Sequence, residues 1–449
     1  MERQTCAQTL RRLRLSRGWS WSDEARVLRG LAQALRFQRL AMNNPSSIQR
    51  TIARWESAAT VPNEQYRILL AHAFARTATG ESSLGPGSDF DALLSAFAGA
   101  GVSTEQLDEL RTSVAVSLTR TGVNLLAFVS ESLQGALAGA LADPARMAPA
   151  LLGDLAASSE AVGAQIGSVP FARLHLAQAA IVDVCRRLFS GPIPDEHRPR
   201  LAEVTASVFA QAARLAFETH DDASALALYA EAVSVAGASA DTTCRALIRT
   251  SQAMVVHYAT GDLSQAQAIA DQAVQDARRV PNAPLQARAY ALQAEMAART
   301  GRQRATAENA LRLAWRALDQ DTANDPGQGV FSKGRLRGFE GVCGIFLGSA
   351  EEAERQLARS AQTLTRPRDT VQRAIVLTDQ SLARLNTGGP GAAESSATML
   401  HECVDLIAAT RGRVPSQRLR QVRLSLRPWR TESFVADLDD HIHTSLIGV

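Results

Sequence analysis

The sequence predicts an all-α protein, and three observations carry that expectation. Hydrophobic residues make up 46% of the 449 and aromatics only 5%. Alanine, leucine, arginine, glutamine and glutamate dominate, so helix formers outweigh the β-branched and aromatic residues that favour strands. From about residue 90 onward the apolar residues recur at helical spacing, with no strand-like alternation. The turns between these runs recur at a nearly constant distance. At this length two or more domains are expected, because a single core stops growing near roughly 250–300 residues.

Residues 8–76 fit four short helices. "QTLRRLRLSRGW" comes first and is closed by Gly18. "SWSDEARVLRGLAQALR" follows, with Ser22 as N-cap ahead of two acids in the first turn. "SSIQRTIARWES" is the third, capped by Ser46 or Ser47, and "NEQYRILLAHAFA" is the fourth, capped by Asn63. The core stripe of this bundle is Leu10, Leu13, Ala25, Leu28, Ile48, Ile52, Trp55, Tyr66, Leu69, Leu70 and Phe74. "TATGESSLGPGSD" (77–89) has no apolar periodicity and reads as a flexible linker.

Residues 90–200 read as helices without a clear turn register and are expected to be degenerate or capping repeats. Residues 201–449 are expected to form a solenoid closed by C-terminal capping helices, with regular punctuation from 221 to 388. Turn positions Asp221, Gly261, Gly301, Gly348 and Gly388 are separated by 40, 40, 47 and 40 residues. Met254 and the small residues Ala294, Gly341 and Ser381 stand seven before a turn, where one helix must approach its neighbour closely. Ala266, Thr306, Ala353 and Ala393 stand five after. The longest spacing holds "TANDPGQGVFSKGRLRG" (322–338), expected as an inserted loop. Self-similarity at one period marks a solenoid.

The net charge of +3 hides an asymmetry. Residues 1–80 hold thirteen arginines against five acids, a net of +8, so the remaining chain carries −5. A small basic module on a mildly acidic body is suited to a polyanion, which points to nucleic acid. Lys333 is the only lysine, a bias read as genomic composition. No apolar run reaches the roughly 18 residues of a membrane span, and the N-terminus lacks the apolar stretch of a signal peptide. Cys6, Cys185, Cys244, Cys343 and Cys403 are scattered and form no C-x-x-C pair. Reduced structural thiols and a cytoplasmic location are the expectation.

Catalytic signals are missing. No phosphate-binding lysine loop, dinucleotide glycine fingerprint or G-x-S-x-G elbow is present. "HIH" at 441–443 has i, i+2 spacing, which sends the two rings to different sides of a helix, so no metal is expected. The seven arginines from Arg411 to Arg430 read as a solvated helical face. Acid pairs such as Asp221-Asp222 and Asp439-Asp440 fit capping. Neither a cofactor nor an enzymatic activity is expected.

Two resemblances attach to these motifs. Residues 200–410 resemble tetratricopeptide repeats, helix–turn–helix pairs stacked into a superhelix, with a period longer than the usual 34 residues. "LRRLRLSRGWSWSDEARVL" and "IQRTIARWESAATVP" resemble the helix-turn-helix of phage-repressor-type (XRE, Cro/C1-like) regulators. That resemblance implies a third helix lying in the major groove, with Gln49, Arg50 and Arg54 reading bases and Thr51 assisting. Arg36, Arg39 and Arg67 are the implied phosphate contacts. Arginine bonds guanine O6/N7 bidentately, glutamine does so with adenine N6/N7, and phosphate contacts add affinity without sequence information. The chain departs from the family at Trp21, at Glu24 and at Ser57-Ala58, and "FQRLAMNNPS" lengthens the turn between helices two and three. Glu56 is expected to be a buried partner of Arg11 or Arg14.

If the solenoid is a sensor, its ligand belongs on the concave face, where Tyr258, Arg288, Glu295, Arg299 and Arg335 fall. Such residues suit a peptide backbone, a carboxylate or a small acid, while repeat-to-repeat contact is the plainer role for any one of them. The combination is similar to the peptide-sensing regulators of Gram-positive bacteria, with an actinobacterial composition. It implies a homodimeric transcription factor on a double-stranded DNA operator, controlled by a signalling peptide or small-molecule effector, without a membrane partner. The alternative is an interaction scaffold whose N-terminal module no longer binds DNA.

Overall fold

The computed structural model describes residues 2–77, 80–119, 122–123, 128–169, 171–237, 242–319, 331–366 and 369–447. Over these residues the chain is all-α; the only strands are Leu118–Thr119 and Gly122–Val123, which pair antiparallel.

The head comprises α1 (Glu2–Ser16), α2 (Trp21–Ala34), α3 (Gln38–Met42), α4 (Pro45–Glu56) and α5 (Glu64–Phe74). Gly18, at φ 66°, takes the left-handed conformation that ends α1. The cap of α2 is Ser20 rather than Ser22: Ser20 Oγ accepts from the Asp23 amide, and Asp23 Oδ2 accepts from the Ser20 amide at 2.8 Å. This reciprocal box satisfies two otherwise orphaned donors, which a cap at Ser22 cannot do. The cap of α4 likewise falls earlier than expected. Asn44 Oδ1 accepts from the Ser46 amide at 3.0 Å, and Pro45 occupies the first turn, where its missing N–H costs nothing. Asn63 caps α5 as expected. All eleven residues of the expected stripe are buried.

This core does not stop at residue 76. Phe90, Leu93, Leu94 and Phe97 from α6 (Asp89–Gly99) and Leu110 and Val114 from α7 (Thr104–Ser117) belong to the same buried cluster as Leu13 and Phe74. The stretch read as a linker is tied down beside them. Thr77 N donates to Glu81 O at 2.7 Å, Ser83 N donates to Ala75 O at 2.8 Å, and Arg17 pairs with Asp89 at 2.9 Å. α8 (Glu131–Ala142), α9 (Ala150–Ala164) and α10 (Phe171–Phe189) then lead into the body.

The body is an array of five helix hairpins. They are α11 (Arg198–Glu218) with α12 (Asp222–Gly237), α13 (Thr242–Thr260) with α14 (Leu263–Ala277), and α15 (Ala283–Arg299) with α16 (Arg304–Leu318). α17 (Lys333–Phe346) with α18 (Ala350–Ala361) and α19 (Thr370–Asn386) with α20 (Ala392–Thr410) complete the array. The first helices form one layer, α11 touching α13, then α15, α17 and α19 in turn. Two more helices, α21 (Arg413–Ser425) and α22 (Ser433–Ile442), follow.

Gly261, Gly301, Gly348 and Gly388 all have positive φ and turn each first helix into its second. In the first hairpin the left-handed residue is His220 (φ 63°), one before the expected Asp221, which instead accepts from the Ser224 amide at the start of α12. Small residues do line the hairpin seams, with Ala266, Ala294, Ala353, Ser381 and Ala393 buried. At two places the register is off by one: Ala307 is buried and Thr306 exposed, and Ala253 is more deeply buried than Met254. Of the expected inserted loop, 322–330 lie outside the described residues, and 333–338 are the first turns of α17. No helix among the described residues is long and apolar enough to cross a membrane.

Candidate nucleic-acid interface

α4 sorts its residues by face. Ile48, Ile52 and Trp55 are buried against α1 and α2, Trp55 meeting Tyr66 edge-on at 4.8 Å. Arg50 and Arg54 are exposed, while Gln49 and Thr51 are half-buried. Neither arginine has an acid partner among the described residues; Arg50 Nε donates to its own helix at Ser46 O, 3.3 Å away. Thr51 Oγ1 donates to Ser47 O at 3.0 Å, a local bond that leaves its reading capacity reduced.

The end of α4 is fixed by charge. Arg14 donates to both oxygens of Glu56 at 2.6 and 2.9 Å and also to Trp19 O, and Trp21 Nε1 donates to Glu56 Oε2 at 3.0 Å. Of the two arginines expected for Glu56, the partner is Arg14; Arg11 is exposed. The departure at Trp21 thus supplies a second donor to the same carboxylate. Glu24 lies beside this pair at 3% exposure, and burial, reinforced by the Glu56 charge, pushes its carboxyl up to about 8 against the pull of Arg14.

The expected phosphate contacts divide. Arg67 is buried at 8% exposure, with Nε donating to Pro62 O at 3.0 Å, so it supports the chain beneath α5 and cannot reach a phosphate. Arg36 is exposed but pairs with Asp183 of α10 at 2.8 Å. Arg39 alone keeps an exposed side chain free of an acid partner among the described residues, while its backbone amide is held by Asp221 Oδ2 at 3.0 Å.

Those bonds explain the lengthened turn. Its residues 36–42 form α3 and dock the head onto the body. Phe37 stacks on His175 at 4.8 Å, and His175 Nε2 donates to Arg36 O at 2.9 Å. Burial holds the His175 ring below its ordinary value, so it stays neutral in this role. A second seam runs along α5. Glu64 accepts from Arg173 at 3.0 Å, and His72, at 2% exposure, accepts from Ser117 Oγ at 2.7 Å while donating to Ile68 O. Sequence reasoning missed Asp183, His175 and Arg173, because nothing local distinguishes them from other charges on amphipathic helices.

In the body, three of the five candidate ligand residues do converge. Arg299 donates to Glu295 at 2.6 Å and to Tyr258 Oη at 3.3 Å. The group is completed by the chain itself. Arg418 of α21 donates to Tyr258 Oη at 2.8 Å and to Glu295 at 3.3 Å, and pairs with Asp379. Burial opposes the Glu295 charge, but Arg299 and Arg418 outweigh it and hold the carboxyl below its usual range. Asp379 goes the other way, pushed by burial to about 6 despite Arg418. Arg288 and Arg335 stand apart: Arg288 donates to Ser251 Oγ at 3.1 Å, and Arg335 pairs with Asp369 at 2.5 Å.

α21 therefore lies across the layer of first helices rather than outside it. Arg413, at its start, is 6% exposed, donates to Phe217 O at 3.0 Å, pairs with Asp222, and covers the Phe217 ring at 4.3 Å. This corrects the reading of the 411–430 arginines as a solvated face: Arg413 and Arg418 are buried and Arg423 is bidentate to Asp439 at 2.6 and 2.7 Å. "HIH" resolves in the same way, His441 stacking on His401 and bonding Asp405 at 3.0 Å. No cluster among the described residues has the ligands of a metal site. All five cysteines are buried, and burial raises the Cys6 thiol to about 11 and that of Cys185 to about 12, which suppresses thiolate chemistry.

No family model matches the chain, and no curated protein matches it.

Proposed function

We propose that the protein is a DNA-binding transcriptional regulator, with a phage-repressor-type helix-turn-helix head on a tetratricopeptide-like body. The observation that carries this reading is the outward face of α4, where Arg50 and Arg54 stand exposed without acid partners above an apolar inner face. Gln49 adds a group suited to adenine. Arg39 supplies the backbone contact that Arg36 and Arg67 do not. Two copies related by a two-fold axis would present two such helices one helical turn apart, or a multiple.

The body's role follows from its packing. Thr77, Ser83 and Asp89 tie the described part of 77–89 to the head, so a rearrangement of the body would be passed on to the head. A peptide ligand on the layer of first helices must first displace α21, because Arg418 already fills the space between Tyr258, Glu295 and Asp379.

Gel shifts with DNA upstream of the protein's own gene test the reading. Arg50→Ala and Arg54→Ala are each expected to weaken specific binding by about 1–3 kcal/mol and to relax base preference. Arg39→Ala is expected to lower affinity evenly across sequences and to reduce the salt slope by about one. Sequence-specific binding that survives the triple change of Gln49, Arg50 and Arg54 to alanine refutes the assignment.

A further inference from the structure

A cavity of about 240 Å³ lies where the head meets the body, between the α2–α3 turn, α10, α11 and α12. Its floor is apolar, built from Ala179, Val182, Ala212, Ala216 and Leu228. Its polar lining includes two ion pairs, Arg36–Asp183 and Arg186–Glu231, both at 2.8 Å. Gln38, Ser224 and Ala227 line both this cavity and a broader cleft under α3, which gives it an open side.

The spare hydrogen-bonding capacity of this lining lies mainly with its donors. Arg36 reaches Asp183 through Nη2 alone, and Arg186 reaches Glu231 through Nη2 alone. The Nε and Nη1 donors of both have no acceptor among the described residues. On the acid side, both Glu231 oxygens are already engaged, and only Oδ2 of Asp183 is left open among the described residues. Both pairs are well exposed, and such pairs contribute little net stability, so rearranging them costs little. A group entering here finds unused donors above an apolar floor. A carboxylate suits those donors best, because a guanidinium binds it through two parallel bonds.

We propose that this cavity is an effector site for a small organic acid with an apolar body, and that the bound carboxylate draws Arg36 away from Asp183. The site stands on geometry alone; only its consequence for DNA rests on the function proposed above. The consequence is direct, because Arg36 begins the segment that holds α3 on α10 and α12 and leads into α4. Loosening Arg36 leaves Phe37–His175 and Arg39–Asp221 as the remaining ties of that turn.

Calorimetry on the full chain without DNA tests the site, using phenylacetate and octanoate as probes and phenylacetamide and phenethylamine as matched neutral and cationic controls. At least one acid is expected to bind, ten-fold or more tighter than either control. Ala212→Phe, which fills the cavity, should abolish that binding, and Arg186→Gln should weaken it at least ten-fold with the melting temperature retained. Amide exchange at residues 36–42 should rise in the complex. Absence of binding by both acids at 5 mM, equal binding of the controls, or binding unaltered in Arg186→Gln overturns the proposal. Binding with unchanged exchange at 36–42 overturns the coupling. Failure of the gel shifts leaves these readouts untouched, so the two readings fall separately.

Discussion

Glu24 stands on the buried side of α2, 3.9 Å from Arg14, and its Oε2 has no hydrogen-bond partner. Its carboxyl is raised from 4.5 to about 8, so the folded state holds a proton that the unfolded state releases between those values. Stability from this group therefore falls as pH rises from about 4.5 through 8. Glu24→Gln is expected to stabilise the protein by about 1–3 kcal/mol above pH 8, with the advantage shrinking toward pH 5. Thermal melts of both proteins across that range check the sign, and an advantage confined to acid pH refutes it. Arg418 is the opposite case. Its removal strands the buried Asp379 and leaves buried Glu295 with Arg299 alone, and Arg418→Ala should cost about 3–5 kcal/mol by denaturant titration. A loss below 1 kcal/mol indicates that α21 leaves its place readily.

Among the elements, α17 is the most tightly constrained by size. A Cβ at Gly341 would meet Leu357 Cγ at 2.4 Å, and one at Gly334 would meet Thr363 Oγ1 closer still. Leu357 is fully buried in the adjoining core, so it has nowhere to retreat. Gly341→Ala should destabilise by about 1–3 kcal/mol despite alanine's better helix propensity, whereas Gly30→Ala, which meets nothing within 4 Å in α2, should be neutral or stabilising. Comparing the two melting temperatures tests this. The elements themselves were largely legible: the α4 stripe, the Gly18 and Asn63 boundaries and the four turn glycines all follow from local chemistry. The caps of α2 and α4 fell two or more residues earlier because Ser20 with Asp23, and Asn44 with Pro45, outcompete later serines. α3 carried no signal, since five residues with one buried leucine have no period to read.

For the molecule as a whole, composition and periodicity lead to the all-α array but not to its closure. α21 was visible only as an arginine-rich helix, and whether such a helix is wet or buried depends on acids up to 195 residues away, such as Glu218 for Arg413. The same holds for the head. Gly, Ser and Thr at 77–89 look like slack chain, yet Phe90 and Phe97 beyond them complete the core begun at Cys6. Of the candidate DNA-reading face, the inward and outward sides of α4 were readable from helical spacing; the loss of Arg36 and Arg67 to internal bonds was not. Of the candidate ligand set, Tyr258, Glu295 and Arg299 meet because they share the layer of first helices, and their partners on α19 and α21 lay beyond any local pattern.

The continuity of the first core has a consequence for how such a chain can change over time. Leu13 and Phe74 share one apolar cluster with Phe90, Val114 and, from α10, Ala172 and Leu176. Cutting at residue 76 strips the first group of its cover, so the head is not portable. Recombination cannot lift it onto another body, or replace it, without carrying α6, α7 and one face of α10 along. The head and the helices that cover it must therefore drift together.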